Sequence, residues 1–261
     1  MSQELSSENN EVSKVDSKRS IFNLNLISLP LWVILSFVVA QLFSILVVSA
    51  FEFIGFDLGS MNQSLLVLIL SAFAYIFMIL FVIGIPWLIK KIPTSLKDIG
   101  ITRLPSWTDI LLSPAGLIIY VLISVLLSIL FATVFPSIDL NQAQETGFDN
   151  LSRNYEYYLA FIALVVLAPV AEELIFRGYL YGKLKKYVPI WVAMIMTSIV
   201  FGAVHGAWNL AIDTFALSVI MCLLREITGN IWSSILLHMI KNGIAYYFLF
   251  INTALLTTLG G

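Results

Sequence analysis

Long apolar runs divide the chain after residue 28 into seven candidate membrane helices. A helix rises about 1.5 Å per residue, so about 20 apolar residues cross a hydrocarbon core about 30 Å thick. The first three runs contain no charged residue, and the last four carry polar residues within them. The runs cover residues 31–51, 65–89, 110–135, 157–181, 190–205, 208–224 and 231–251. The pattern predicts an all-α polytopic membrane protein with about seven transmembrane helices, and an eighth crossing stays compatible with it.

Composition supports this prediction and narrows the partners. Hydrophobic residues make up 59% of the chain and charged residues 11%, whereas a soluble domain carries about 25% charged residues. The net charge is −2 and no basic stripe is present, so we expect the lipid bilayer, and not nucleic acid, as a partner. Cys222 is the single cysteine. It lies in an apolar run and is expected to be a small buried residue, with no intrachain disulfide possible.

Two regions are predicted along the chain. Residues 1–28 are rich in Ser, Asn and Glu and lack the composition of a signal peptide, which indicates a disordered cytoplasmic tail. Residues 29–261 are predicted to form a single transmembrane domain. Its polar residues concentrate between about 155 and 250, which marks the expected catalytic core.

The distribution of Lys and Arg predicts the orientation, because cytoplasmic connections are enriched in these residues. Seven spans with a cytoplasmic N-terminus place eleven of the 14 inside and Arg153 alone outside, while Arg177 and Lys241 lie within spans. The C-terminus is then external. Short loops and the absence of organelle signals favour a prokaryotic cell membrane.

Two connections are long enough to have a structure of their own. Residues 93–107 alternate apolar and polar positions, which fits either a strand-like or amphipathic piece at the interface or a plain loop. Residues 136–156 form a polar, acidic external loop that is placed to cover a site, although nothing in the sequence demands it.

Ionisable residues inside the spans are the main functional signal. A charge near the bilayer centre costs at least about 2.5–3.5 kcal/mol, so such residues usually face a cavity. Glu173 and Arg177 are four residues apart and are expected to pair. Glu172 points away from that pair and is the better candidate for a base. Asp213 and Glu226 are expected near span ends and solvated.

Depth along the helices brings the other polar residues to the level of Glu172. Glu172 precedes the turn near residues 188–189 by about 16 residues and His205 follows it by about 16, which places both about 24 Å from the turn. His238 and Asn242 lie about 13 and 20 Å along the last span. We therefore expect one polar layer around an intramembrane cavity.

The residue types in this layer fit amide hydrolysis. Glu172 and His205 can hold and deprotonate a water, and His238 and Asn242 can donate to an oxyanion. The same groups allow an alternative in which Glu172, His205 and His238 bind Zn²⁺. No HExxH helix is present and Asn is an uncommon zinc ligand, so the metal-free mechanism is favoured and the metal question stays open.

Three motifs in this region resemble the CPBP intramembrane proteases, a family that includes CAAX prenyl endopeptidases and bacteriocin-processing or immunity-associated, Abi-like proteins. The matching residues are Glu172, Glu173 and Arg177 for EExxxR, Phe201 and His205 for FxxxH, and His238 and Asn242 for HxxxN. The resemblance covers roughly residues 155–250. It implies that Glu172 and His205 activate water while His238 and Asn242 form the oxyanion hole, with or without a metal. Phe201 is expected to pack rather than react.

Lys241 departs from the uncharged residue expected beside such a site. In a functional role, Lys241 would alter the charge preference for substrates or the basicity of Glu172. In a structural role, its ammonium group would extend to the membrane interface or pair with Asp213 or Glu226.

The sequence leaves three functions in competition. The first is an endopeptidase acting on prenylated, leader, pheromone or bacteriocin-type peptides or on membrane proteins. The second is a non-catalytic immunity or scaffolding protein that retains the motifs. The third, a proton-coupled transporter, lacks a visible inverted repeat. The sequence does not indicate an oligomeric state.

Overall fold

A computed structural model describes residues 24–91, 93–137, 142, 146–148 and 151–253. Within these residues the chain forms seven helices and a short 3₁₀ turn at Leu58–Ser60. The helices are α1 (Asn25–Phe53), α2 (Gln63–Ile89), α3 (Trp107–Val134), α4 (Asn154–Leu184), α5 (Ile190–Ala203), α6 (Trp208–Thr228) and α7 (Trp232–Ile251). Five of them, all except α5 and α6, are long and apolar enough to cross a membrane. The protein is therefore an all-helical, polytopic membrane protein.

The helix boundaries differ from the predicted ones at the start of α1 and at the end of α5. The predicted tail falls mostly on residues 1–23, which lie outside the described residues. α1 already begins at Asn25, six residues before the predicted start, because Pro30 in an early turn removes only one backbone hydrogen bond. α5 ends at Ala203, so His205 lies in the turn after the helix and not at its end.

α4 is the most deeply buried of the five long spans and α3 the least. α4 contacts α2, α5 and α7, while α6 packs against α3, α5 and α7. The core between these helices contains fully buried side chains from α4, α6 and α7, among them Phe176, Leu180, Leu217 and Leu237. The helix with the most polar residues is thus held in the centre of the bundle.

Two π-helical stretches interrupt α4, at Ile162–Leu167 and Leu174–Tyr181. Such stretches change which side chains share a face and are common at functional sites. The first one precedes Pro169, which lacks an amide hydrogen and cannot continue a regular ladder. The polar segment of α4 lies between and within these irregular turns.

The connection 93–106 forms turns where it is described, and the predicted strand-like alternative is wrong. Ile99 of this segment is buried. The carbonyl of Asp98 accepts from Arg225 Nη2 at 3.1 Å, and that of Gly100 accepts from the Ile231 backbone at 3.0 Å. A Cβ at Gly182 would lie 2.8 Å from the Asp98 carbonyl, so the absence of a side chain there allows the connection to lie against α4. The connection thereby fixes α4, α6 and α7 at the end of the bundle that carries most of the lysines.

Candidate active site

A cavity of about 300 Å³ lies between α1, α2, α4, α6 and α7. Its wall brings together four residues that the sequence predicted to share one layer: Glu172, His205, His238 and Asn242. Other polar side chains in the lining include Gln41, Tyr75, Thr146, Thr214 and Lys241. Glu173 and Arg177 lie behind this wall and are fully buried.

Glu172 extends from α4 into the cavity, with 13% of its side chain exposed. Its Oε1 accepts a hydrogen bond of 2.8 Å from the Tyr75 hydroxyl on α2. Its other oxygen, Oε2, lies 3.9 Å from Nε2 of His238. That separation is too long for a direct hydrogen bond and short enough for one water to contact both atoms.

The predicted pair of Glu173 and Arg177 is confirmed, and it includes a third residue. Arg177 Nη1 donates to Glu173 Oε1 at 3.0 Å, and His238 Nδ1 lies 3.0 Å from the same oxygen. Since a carboxylate paired with Arg accepts only, His238 Nδ1 must carry the hydrogen. Its Nε2 is then directed to the cavity side, where Glu172 lies.

His205 is oriented by the last turn of α5. Its Nδ1 lies 2.6 Å from the carbonyl oxygen of Phe201. A carbonyl only accepts, so Nδ1 is the donor and Nε2 of the neutral ring is left as an acceptor. His205 lines the cavity, and this tautomer suits a group that accepts a proton or a hydrogen bond from water.

Phe201 packs, as predicted, among the polar groups. Its ring makes edge-to-face contacts with His205 and His238, at centroid distances of 4.9 and 5.9 Å. The Arg177 guanidinium carbon lies 4.3 Å from the Phe201 ring centroid. Nε and Nη2 of Arg177 have no hydrogen-bond partner among the described residues, so the aromatic face is the main further contact of this buried cation.

Asn242 is tied to an irregular turn of α4. Its Nδ2 donates to the backbone carbonyl of Leu164 at 2.9 Å. In the i→i+5 register of the π-helical stretch this carbonyl would face Pro169, which has no amide hydrogen. The side-chain amide supplies that hydrogen bond and retains one further N–H.

The positions of these side chains also test the alternative in which the site binds Zn²⁺. Among the described residues, no group of three His, Cys, Asp or Glu side chains is arranged to hold a metal ion. Glu172, His205 and His238 share the cavity, but they do not form such a group. These residues do not fit a zinc site as they stand.

Lys241 lines the cavity with 20% of its side chain exposed, and its Nζ lies 3.4 Å from Oδ2 of Asp213. The predicted pairing with Asp213 is confirmed. Asp213 lies near the start of α6, as expected, but it does not face water alone, because its Oδ1 accepts from Tyr120 and Ser124 of α3. Glu226 pairs with Lys185.

Sequence reasoning missed the contribution of the first two helices, whereas a role for the loop before α4 was expected. Tyr75 and Gln41 come from α2 and α1, which were predicted only as apolar spans. Tyr75 could have been found from the sequence, because it places a hydroxyl inside an uncharged apolar run. A buried tyrosine hydroxyl usually needs a hydrogen-bond partner. In the loop before α4, Thr146 lines the cavity and the carbonyl of Gln142 accepts from Asn209 at 2.7 Å, so the described part of this loop lies over the site.

Comparison with known proteins identifies the same region. Residues 154–244 match the model of the Rce1-like family, type II CAAX prenyl endopeptidases. A segment of 84 residues is 29% identical to a Bacillus subtilis (strain 168) protein described as "Putative membrane peptidase YdiL". The match spans 32% of this chain and 34% of that relative. No solved structure matches the chain. Residues 154–244, which include Glu172, His205, His238 and Asn242, are thus similar to the Rce1-like type II CAAX prenyl endopeptidases.

Proposed function

We propose that this protein is an intramembrane endopeptidase that hydrolyses a peptide bond with a water activated by Glu172 and His205. The observation that supports the proposal is the arrangement of Glu172, His205 and His238 on one cavity wall, each held by a separate partner. Held side chains keep a reacting water in position without reorganisation during the reaction.

The proposed reaction begins with a water beside Glu172 Oε2 and His205 Nε2. Its oxygen attacks the scissile carbonyl carbon while Glu172 takes its proton. The tetrahedral intermediate then collapses, the C–N bond breaks, and the proton passes from Glu172 to the leaving amine. The products are a carboxylic acid and an amine. His205 accepts a hydrogen bond from the water and orients it for the attack.

His238 and Asn242 are the proposed donors to the oxyanion. Asn242 has one N–H free after its bond to Leu164. His238 acts with hydrogens on both ring nitrogens, one directed to Glu173 and the other to the substrate oxygen. Glu173 and Arg177 do not line the cavity, and in this proposal they position His238 without touching the substrate.

The proposed substrate classes rest on the matched family, and the proposed side of entry rests on the position of the cavity lining. The family model describes prenyl endopeptidases, so peptides with a prenylated cysteine are one proposed class, and leader, pheromone or bacteriocin-type peptides and membrane-protein segments are others. The residues of α7 that line the cavity extend from His238 to Phe250, near the C-terminal end of that helix. Thr146 lines the cavity at the same end. With seven crossings, a cytoplasmic N-terminus and an external C-terminus, substrates would enter from the external side of a prokaryotic cell membrane.

Terminal proteomics of cells tests the activity. Cells expressing the wild-type chain should contain peptide termini that are absent from cells expressing Glu172→Gln at equal abundance. Glu52→Gln, an exposed carboxylate outside the cavity, is the matched control and should give the wild-type pattern. Identical termini in all three strains would refute the proposal, and full biological activity of Glu172→Gln would favour the immunity or scaffolding alternative.

A labelling experiment tests the orientation. Single cysteines at Thr146 and Lys186, in a Cys222→Ala background, would be treated in intact cells with a membrane-impermeant maleimide. Labelling at position 146 and protection at 186 is expected. The reverse result would place the cavity's opening on the cytoplasmic side.

A further inference from the structure

We propose that Lys241 is a specificity-determining residue that binds a carboxylate of the peptide substrate inside the cavity. The inference deepens the proposed endopeptidase function and rests on it. The carboxylate belongs either to the C-terminus of the peptide or to an Asp or Glu side chain near the scissile bond.

Lys241 supplies positive charge to the cavity wall. Among the described residues that line the cavity, Lys241 is the only lysine or arginine. A carboxylate entering this cavity loses most of its hydration, which is costly unless a cation replaces it. Lys241 is the group that can do so.

Asp213 leaves the ammonium group of Lys241 with free hydrogen-bond donors. An ammonium group has three hydrogens, and within the described residues Asp213 is its ion-pair partner, at 3.4 Å. The charge of Asp213 is shared with the hydroxyls of Tyr120 and Ser124. Asp213 therefore holds the ammonium group in place without using all its hydrogen bonds, and 20% of the Lys241 side chain stays exposed in the cavity.

The position of Lys241 on α7 also favours this role. Lys241 follows His238 by three residues, a rise of about 4.5 Å, and it immediately precedes Asn242. A carboxylate bound to Lys241 would lie about one or two residues along an extended peptide from the carbonyl at His238 and Asn242. Lys241 would thus choose which peptide bond is presented to Glu172.

Retention of synthetic peptides by the immobilised full-length protein in nanodiscs tests the inference. The protein carries Glu172→Gln, so that cleavage does not remove the ligand. A pool of random octapeptides is prepared in matched forms: with a free C-terminus or a C-terminal amide, and with Glu or Gln at one internal position. Retained peptides are quantified by mass spectrometry.

We expect at least one carboxylate form to be retained about tenfold better than its neutral match, the size of one charge-assisted hydrogen bond. Preference for the free C-terminus identifies the terminal carboxylate, and preference for Glu over Gln identifies the side chain. Adding Lys241→Met should abolish the preference, and Lys241→Arg should keep most of it. Lys185→Met, which breaks a Lys–Glu pair outside the cavity, is the control and should change nothing.

Equal retention of all forms, absence of retention, or an unchanged preference in Lys241→Met would overturn the inference. A uniform loss of all forms in Lys241→Met would also overturn it, because it would indicate a purely structural ion pair. The protease proposal is judged separately, from Glu172-dependent cleavage by the otherwise wild-type chain, so the failure of one is distinguishable from the failure of the other.

Discussion

His238 and Arg177 hydrogen-bond to the same oxygen atom, Oε1 of Glu173, each at 3.0 Å. The three side chains come from α4 and α7, and Glu173 and Arg177 are fully buried. A buried charge is stable only with its partner. The carboxylate therefore has two functions: it neutralises Arg177, and it fixes the ring of His238 on the cavity wall.

These two functions can be separated by substitution. Glu173→Gln leaves the charge of Arg177 unpaired, so the free energy of unfolding should fall by about 3–5 kcal/mol. Glu173→Gln combined with Arg177→Met removes both charges and should recover much of this loss. Peptide hydrolysis should stay at least about tenfold below wild type in both variants, because His238 lacks its carboxylate in each. Thermal unfolding in detergent and peptide cleavage measure the two effects. Wild-type activity in the double variant would show that Glu173 serves Arg177 alone.

The hydroxyl of Tyr75 is expected to support Glu172, while its ring packs against the hydrophobic core. Tyr75→Phe removes the hydroxyl that donates to Glu172 at 2.8 Å and keeps the ring. A hydrogen bond to a charged group is worth about 1.5–3 kcal/mol, so kcat/KM should fall about 10- to 100-fold while thermal stability changes little. Tyr158→Phe is the control, because Tyr158 is 70% exposed on α4 and its hydroxyl is outside the cavity. Equal activity of the two variants would remove Tyr75 from the site.

The sequence predicted the polar layer because each of its members belongs to a motif with helical spacing. Glu173 and Arg177 are one helical turn apart, and residue counts from the turns placed Glu172 and His205 at one depth. Both inferences use only the rise and period of a helix. Spacing alone was enough to collect these residues at one cavity.

Contacts between distant helices were not predictable in this way. Tyr75 reaches Glu172 across 97 positions in sequence, and neither α1 nor α2 carries a motif that indicates the cavity. The bond from Asn242 to Leu164 depends on a π-helical stretch whose register sequence periodicity does not reveal. The partners of Asp213 on α3 were missed because a carboxylate near a helix end was expected to face water.

Asp98, which lies outside the membrane spans, is expected to make the stability of the fold depend on pH in the acid range. Hydrogen bonds from the Ser95 hydroxyl and backbone, and from Lys186, hold the pKa of Asp98 well below its usual range. For a carboxyl with a lowered folded-state pKa, the stabilisation is complete above the unfolded pKa of about 4 and is lost as pH falls further. The difference in melting temperature between wild type and Asp98→Asn should be constant from about pH 7 to 5 and shrink below about pH 4. Glu52→Gln is the control, and a difference that stays constant down to pH 3 would contradict the assignment.

Gly202 allows α5 to approach α6 closely enough to place His205. A Cβ at Gly202 would lie 2.7 Å from the carbonyl oxygen of Ala211, closer than real Cβ atoms come. Gly202→Ala must therefore move α5 away from α6, at a cost of about 1–3 kcal/mol. Since His205 follows three residues later and is oriented by the Phe201 carbonyl, activity should fall together with thermal stability.

Gly84→Ala on α2 is the matched control, because a Cβ there meets no atom within 4 Å; it should keep activity and stability near wild type. If Gly202→Ala lowered stability but cleaved peptides at the wild-type rate, the position of His205 would not depend on this helix contact, and its role in activating water would lose its structural support.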